Sequence, residues 1–212
     1  MVRDQLAAGG IADSRVLEAM GAVPREEFVP DGWRHRAYAD GALPIGHGQT
    51  ISQPWVVAAI CEALELEGDE DVLDVGAGSG YSTAVLARLA GRVTGLELIP
   101  ELAERAADVL RRLGVRNATV LAADGSVRPP GGPYGAIAVH AAAPSLPVEL
   151  ARALEPGGRL VVPIASGEAD MLTAFRRVDP GGDAPELERR ALAPCRFVPL
   201  LGEGGFDPGE VG

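Results

Sequence analysis

The run Val72-Leu73-Asp74-Val75, followed at once by Gly76-Ala77-Gly78-Ser79-Gly80-Tyr81, constrains this chain more than any other stretch. A short, mostly apolar segment suits a strand buried on both faces, and the run from Tyr81 to Leu89 suits the helix after it. The glycines between them allow a tight turn and close approach of a ligand to bare backbone, which is how a strand-to-helix turn receives a nucleotide. The pattern is G-x-G-x-G, with Tyr81 where the dinucleotide fingerprint would have its last glycine. Asp74 adds an anion just upstream, where a pyrophosphate is unwelcome. A nicotinamide dinucleotide is therefore disfavoured.

Strand and helix signals alternate along the rest of the chain. Strands are predicted over Asp71–Val75, Arg92–Leu96, Ala118–Ala122, Ala136–Val139 and Arg159–Pro163. Helices are predicted over Trp55–Leu64 (opened by Pro54), Tyr81–Leu89, Pro100–Leu113 and near Pro147–Ala153. Residues 3–20 read as a helix split at Gly9-Gly10, with Asp13 or Ser14 capping its second part. Residues 31–50, rich in Gly, Pro and Asp, read as an extended loop. Leu172–Val178 and Glu188–Leu192 read as an antiparallel pair about Pro180-Gly181-Gly182. The fold class is α/β: a doubly wound, mostly parallel, Rossmann-like sheet with an antiparallel C-terminal edge and an N-terminal helical and loop cap. The 212 residues fit one domain: a cap and substrate lid over 1–70, a cofactor-binding core with the C-terminal strands over 71–201, and a mobile tail over 202–212.

Composition removes several function classes. All 19 basic residues are Arg, so there is no catalytic amine, Schiff-base lysine or P-loop lysine. A net charge of -11 makes nucleic acid a poor partner. His35, His47 and His140, with Cys61 and Cys195, lack metal-ligand spacing, so no metal site is expected. Two isolated cysteines, no apolar run of membrane-spanning length and a charged N-terminus without an apolar core predict a cytoplasmic protein, expected as a monomer.

Acidic residues at successive strand ends define the ligand. Glu97 ends the second predicted strand and can accept both hydroxyls of a ribose. Asp124-Gly125 follows the third, where a carboxylate can accept the exocyclic amine of adenine. With the glycine turn for an amino-acid tail and no phosphate grip, the set suits S-adenosylmethionine.

The segment Pro44-Ile45-Gly46-His47-Gly48-Gln49-Thr50-Ile51-Ser52-Gln53-Pro54 resembles the signature of the protein-L-isoaspartate O-methyltransferases. The resemblance continues through Asp74–Gly80, Asp124-Gly125, Ala141-Ala142-Ala143-Pro144, Leu154–Leu160 and Arg196–Leu200, spanning roughly residues 3–201 in family order. It implies methyl transfer from S-adenosylmethionine to the α-carboxylate of L-isoaspartyl residues in damaged proteins. The ester then closes to a succinimide that reopens to aspartate. The same resemblance implies Ser52 as the active-site hydroxyl. It puts Thr50, Ile51, Asp74, Gly76, Ala77, Gly78, Ser79, Gly80, Glu97, Leu98, Asp124 and Gly125 at the cofactor. Ser52, Gln53, His140, Arg196 and Val198 fall at the substrate, with Arg196–Leu200 as a strand holding the peptide backbone. Relatives of the family methylate one aspartate of a dedicated precursor peptide, and a basic precursor would suit the acidic chain.

No acid–base dyad is expected for such a reaction, because a carboxylate is already ionised at pH 7. A sulfonium and a carboxylate lose their charges in the transition state, so water exclusion and in-line positioning carry the rate. Some readings stay open at this level. Ser52 also reads as a helix N-cap, His140 as a packed strand-end histidine, His47 as a plain loop residue, and Arg196 as an edge-strand surface group.

Overall fold

In the computed structural model, residues 1–179, 184–207 and 209 are described. The chain forms a seven-stranded sheet in the order β5-β4-β3-β6-β7-β8-β9. Its parallel part is β3 (Asp71–Val75), β4 (Arg92–Glu97), β5 (Ala118–Ala122), β6 (Tyr134–Val139) and β7 (Leu154–Ile164). Strands β8 (Asp170–Arg177) and β9 (Leu187–Cys195) add the predicted antiparallel edge, while the predicted turn at Pro180-Gly181-Gly182 lies outside the described residues. Strand β9 keeps Glu188, Arg189 and Arg190 in water, and an edge of charged side chains resists pairing with other chains.

Alternation along the central strands divides the core. Ala136 and Ala138 of β6 face one apolar cluster, and Ile137 and Val139 face the other. The first cluster takes α1 (Ser14–Ala22), α2 (Pro54–Leu64), α3 (Tyr81–Leu86) and α4 (Pro100–Arg112); the second takes α5 (Val148–Arg152). Helix α4 buries Leu102, Ala106 and Leu110, one stripe at helical spacing, and turns its charged residues outward. Helix α2 is buried along most of its length, and the left-handed Glu65 ends it. Asp13 caps α1, its carboxylate accepting the Arg15 and Val16 amides at 2.8 and 3.4 Å.

Three sequence expectations need correction. Residues 31–50 are not one extended loop: Asp31–Arg36 forms a 3-10 helix, and β1 (Leu43–Gly46) pairs antiparallel with β2 (Gln49–Ile51). Leu43, Ile45 and Ile51 carry the buried alternation of that hairpin, which Pro44 and Gly46 mask in the sequence. His47 and Gly48 sit at φ 52 and 71, the left-handed pair that a two-residue hairpin turn demands. The strand expected at Arg196–Leu200 is not one: only an isolated bridge to Ala142 forms, through Val198 O and the Leu200 amide. Nor does the tail begin free at Gly202. The Glu203 amide donates to Asp124 Oδ2 at 3.0 Å, the Gly204 amide to Ser126 Oγ at 3.0 Å and the Phe206 amide to Leu200 O at 2.7 Å. This strap fits because Gly205 is bare: a Cβ there would stand 2.0 Å from Leu200 O.

Candidate active site

The strand order reverses between β3 and β6, one leading through β4 to β5 and the other on to β7. A crevice opens beyond the carboxyl ends of strands at such a switch point. The glycine turn follows β3 there, and His140 follows β6.

The turn is held from below. Gly76 and Ala77 both donate their amides to Leu96 O, at 2.9 and 3.0 Å. Gly78 and Gly80 have φ 54 and 85, and a Cβ at Gly80 would press on Ala106 Cβ at 3.0 Å. Glu97 accepts the Gly78 amide at Oε2 (2.8 Å) and the Ile99 amide at Oε1 (2.9 Å). A carboxylate has about four lone-pair sites, so each oxygen keeps one for a ligand hydroxyl. Asp74 is fully buried beneath the turn, where Ser82 Oγ and Thr83 Oγ1 donate to Oδ2 at 2.9 and 2.6 Å. It ties β3 to the first turn of α3 and does not line the crevice.

His140 Nε2 stands 3.3 Å from the remaining Asp74 oxygen, and neither atom has a hydrogen-bond partner among the described residues. Burial pulls the imidazole below the ordinary histidine pKa, against the opposing pull of Asp74. The ring is therefore neutral at pH 7. Asp124 Oδ1 accepts the amide and hydroxyl of Ser126 at 2.8 and 2.6 Å. Its burial favours the acid form, but bonds from Ser126 and Glu203 outweigh that and hold its pKa below the usual carboxylate value.

Two cavities meet in the crevice. The first, about 90 Å³, lies over the glycine turn and is lined by Thr50, Gly76, Gly78, Glu97, Leu98 and Gly125, with Leu200 and Leu201 of the strap. The second, about 480 Å³, is lined by Ser52, Gln53, Trp55, Arg196 and Phe197 among others. Thr50, His140 and Val198 line both and form the common wall. The lining of the first cavity offers a carboxylate and no arginine among the described residues, so its chemistry suits ribose hydroxyls and does not suit a phosphate. The second offers a hydroxyl, an amide, the Arg196 guanidinium and apolar walls, which suit a peptide segment carrying a carboxylate.

The structure brings most predicted site residues together. Ser52, Gln53, His140, Arg196 and Val198 all line the second cavity. Ile51 and Ala77 are packed into the core, Gly80 abuts α4, and Ser79 faces a separate recess beside Phe28, Ile45 and Arg105. Asp124 lines neither cavity: its carboxylate is held under the strap by Ser126 and Glu203, and its neighbour Gly125 lines the first. The N-cap of α2 is Gln53, whose side chain donates instead to Asp40 Oδ1 at 2.7 Å, so Ser52 is not a capping serine.

Sequence reasoning missed the strap and Arg25. Arg25 is fully buried, donates from Nε to Ala37 O at 2.8 Å and from Nη2 to Ser52 O at 2.6 Å, and lies 4.7 Å above the Tyr81 ring. Burial lowers its pKa to about 10, so it remains a cation at pH 7. One arginine in a charged, turn-rich link gives no periodic or motif signal.

The family model described as protein-L-isoaspartate(D-aspartate) O-methyltransferase (PCMT) matches residues 1–205. Protein-L-isoaspartate O-methyltransferase 1 of Rhodopseudomonas palustris (strain HaA2) is 50% identical over 208 residues, covering 97% of this chain and 83% of its own. Its namesake in Anaeromyxobacter sp. (strain Fw109-5) is 52% identical over 202 residues, with 94% of each chain covered. A solved protein-L-isoaspartate O-methyltransferase superposes with a TM-score of 0.83 at 27% identity, over 96% of this chain and 67% of that one. A Plasmodium falciparum structure assigned to the same activity, in complex with S-adenosyl-L-homocysteine, shares the fold, with a TM-score of 0.80 at 24% identity over 94% of this chain and 96% of that one.

Proposed function

Because the chain belongs to the protein-L-isoaspartate(D-aspartate) O-methyltransferase family, we propose that it methylates the α-carboxylate of L-isoaspartyl residues in damaged proteins, using S-adenosylmethionine. The observation that carries this reading is the pair of cavities sharing the wall of Thr50, His140 and Val198, one lined by the glycine turn and Glu97 and one by Ser52 and Gln53. When bound, S-adenosylmethionine supplies a methyl group on a sulfonium, which a carboxylate oxygen takes in one in-line displacement.

The residues divide between the two cavities. Gly76, Gly78 and Gly125 offer backbone to the cofactor, Glu97 accepts its ribose hydroxyls, and Leu98 gives an apolar surface at the cavity rim. Asp124 holds the adenine end. Asp74, Ile51, Ala77, Ser79 and Gly80 act by holding the turn and the hairpin in shape.

On the acceptor side, the Ser52 hydroxyl donates to the isoaspartyl carboxylate and aims it at the common wall. A neutral donor holds the anion with less loss of nucleophilicity than a guanidinium would cause, since a salt bridge stabilises the ground state most. Gln53, Arg196 and Val198 receive the peptide backbone along the cavity rim. No general base is needed, because the acceptor carboxylate is ionised at pH 7. A neutral His140 and an apolar Val198 keep charge and water away from a transition state in which opposite charges cancel. The protein acts as a cytoplasmic monomer on isoaspartyl peptides and proteins, and its two unpaired cysteines suit a reducing compartment.

The test is methyl incorporation from labelled S-adenosylmethionine into an isoaspartyl peptide and its aspartyl twin. Base-labile label in the isoaspartyl peptide alone supports the reading. Equal label in both, or label only in an aspartyl peptide, contradicts it.

A further inference from the structure

A buried guanidinium is costly unless its donors are used. Arg25 is fully buried and spends Nε and Nη2 on main-chain carbonyls from two segments distant in sequence, Ala37 O, after the 3-10 helix Asp31–Arg36, and Ser52 O, while Nη1 has no hydrogen-bond partner among the described residues. Its charge rests on the ring of Tyr81, the first residue of α3 and the neighbour of Gly80 in the glycine turn. Ser52 itself joins β2 to α2. The Val56 and Val57 amides in the first turn of α2 go to Gln53 O and not to the Ser52 carbonyl. The bond from Arg25, at 2.6 Å, is what orients the peptide that carries the Ser52 side chain.

We propose that Arg25 is a positioning residue for methyl transfer: it holds the acceptor loop at Ser52 against the start of α3, so that the Ser52 hydroxyl and the cofactor turn share one rigid frame. This rests on Ser52 being the acceptor-side hydroxyl. The planar fork of arginine serves two carbonyls while stacking on a ring, and a lysine ammonium on a flexible stem does not hold that geometry. A displacement of about 1 Å at a reacting group costs roughly 100-fold in rate. Arg25→Lys is thus expected to act on turnover more than on cofactor binding.

The experiment is a double-mutant cycle with Arg25→Lys and Ser52→Ala, reading kcat and KM for an isoaspartyl peptide and the Kd of S-adenosylhomocysteine. Arg25→Lys is expected to lower kcat by about tenfold or more with Ser52 present, and by less than about twofold in the Ser52→Ala background. The Kd is expected to stay within about threefold. A fully active Arg25→Lys overturns the inference, as does an equal loss of kcat in both backgrounds. Should Arg25→Lys not fold, Arg25→Gln is carried through the same cycle; if neither folds, Arg25 serves the fold alone and the inference fails. A Ser52→Ala enzyme with unchanged kcat would instead remove the reading of Ser52 on which the cycle depends.

Discussion

Glu97→Gln is nearly isosteric and removes one charge from the floor of the cofactor cavity. The wild-type carboxylate accepts two backbone amides, from Gly78 at 2.8 Å and Ile99 at 2.9 Å. A carboxamide offers one oxygen, so its NH₂ must face one of those N–H groups, and that donor loses its partner. Hydrogen bonds to charged groups are worth about 1.5–3 kcal/mol each. The ribose diol loses a comparable interaction, because one of the two acceptor oxygens becomes a donor. A loss of about 1.5–3 kcal/mol in binding raises Kd by roughly 10- to 100-fold. The loss within the turn, of about 1–3 kcal/mol, lowers Tm by roughly 2–12 °C for a domain of this size. Titration calorimetry with S-adenosylhomocysteine and a thermal melt read both effects. A folded Glu97→Gln protein that binds within about threefold of wild type would refute the assignment of Glu97 to the ribose.

Other consequences are separately measurable. Thr83→Val keeps the volume but removes the 2.6 Å bond to fully buried Asp74, and a thermal melt should show a loss of about 1.5–3 kcal/mol. Because burial sets the folded pKa of His140 below its unfolded value, the unfolded chain binds more protons between the two, and stability falls on acidification through that window. Melts from pH 7 downward should show Tm dropping below about pH 6.5, with a shallower slope in His140→Gln. Gly205→Ala puts a Cβ 2.0 Å from Leu200 O, so the strap must lift from Asp124. Faster exchange of the Glu203 and Phe206 amides and weaker S-adenosylhomocysteine binding are expected.

Much of this was legible because burial writes period and glycine into a sequence. The β3 run and the glycine turn announce a strand buried on both faces and a backbone cradle, and the alternation of strands and helices leads to a parallel sheet. Glu97 was found because it ends a strand, and strand ends face the switch point. Leu43, Ile45 and Ile51 were hidden because their alternation is interrupted by Pro44 and Gly46, which elsewhere mark loops. The strand that the family resemblance implies at Arg196–Leu200 reduces to a single bridge at Ala142, because hydrogen-bond pairing depends on a partner segment that a motif does not show. Asp74 has the motif position of a ligand contact, which does not reveal that it is buried beneath the turn with Ser82 and Thr83 bonded to Oδ2. Arg25 and the strap left no trace, since each depends on contacts between segments far apart: Arg25 with Ser52, and Glu203 with Asp124.

The central claim is that the Ser52 hydroxyl presents an acceptor carboxylate to the cofactor across the wall of Thr50, His140 and Val198. Steady-state kinetics of Ser52→Ala on an isoaspartyl peptide, paired with calorimetry of S-adenosylhomocysteine, test it directly. A fall in kcat/KM of about 100-fold, with cofactor Kd within about threefold of wild type, is the expected result. Unchanged methyl transfer, or a collapse of cofactor binding in a folded protein, would contradict it.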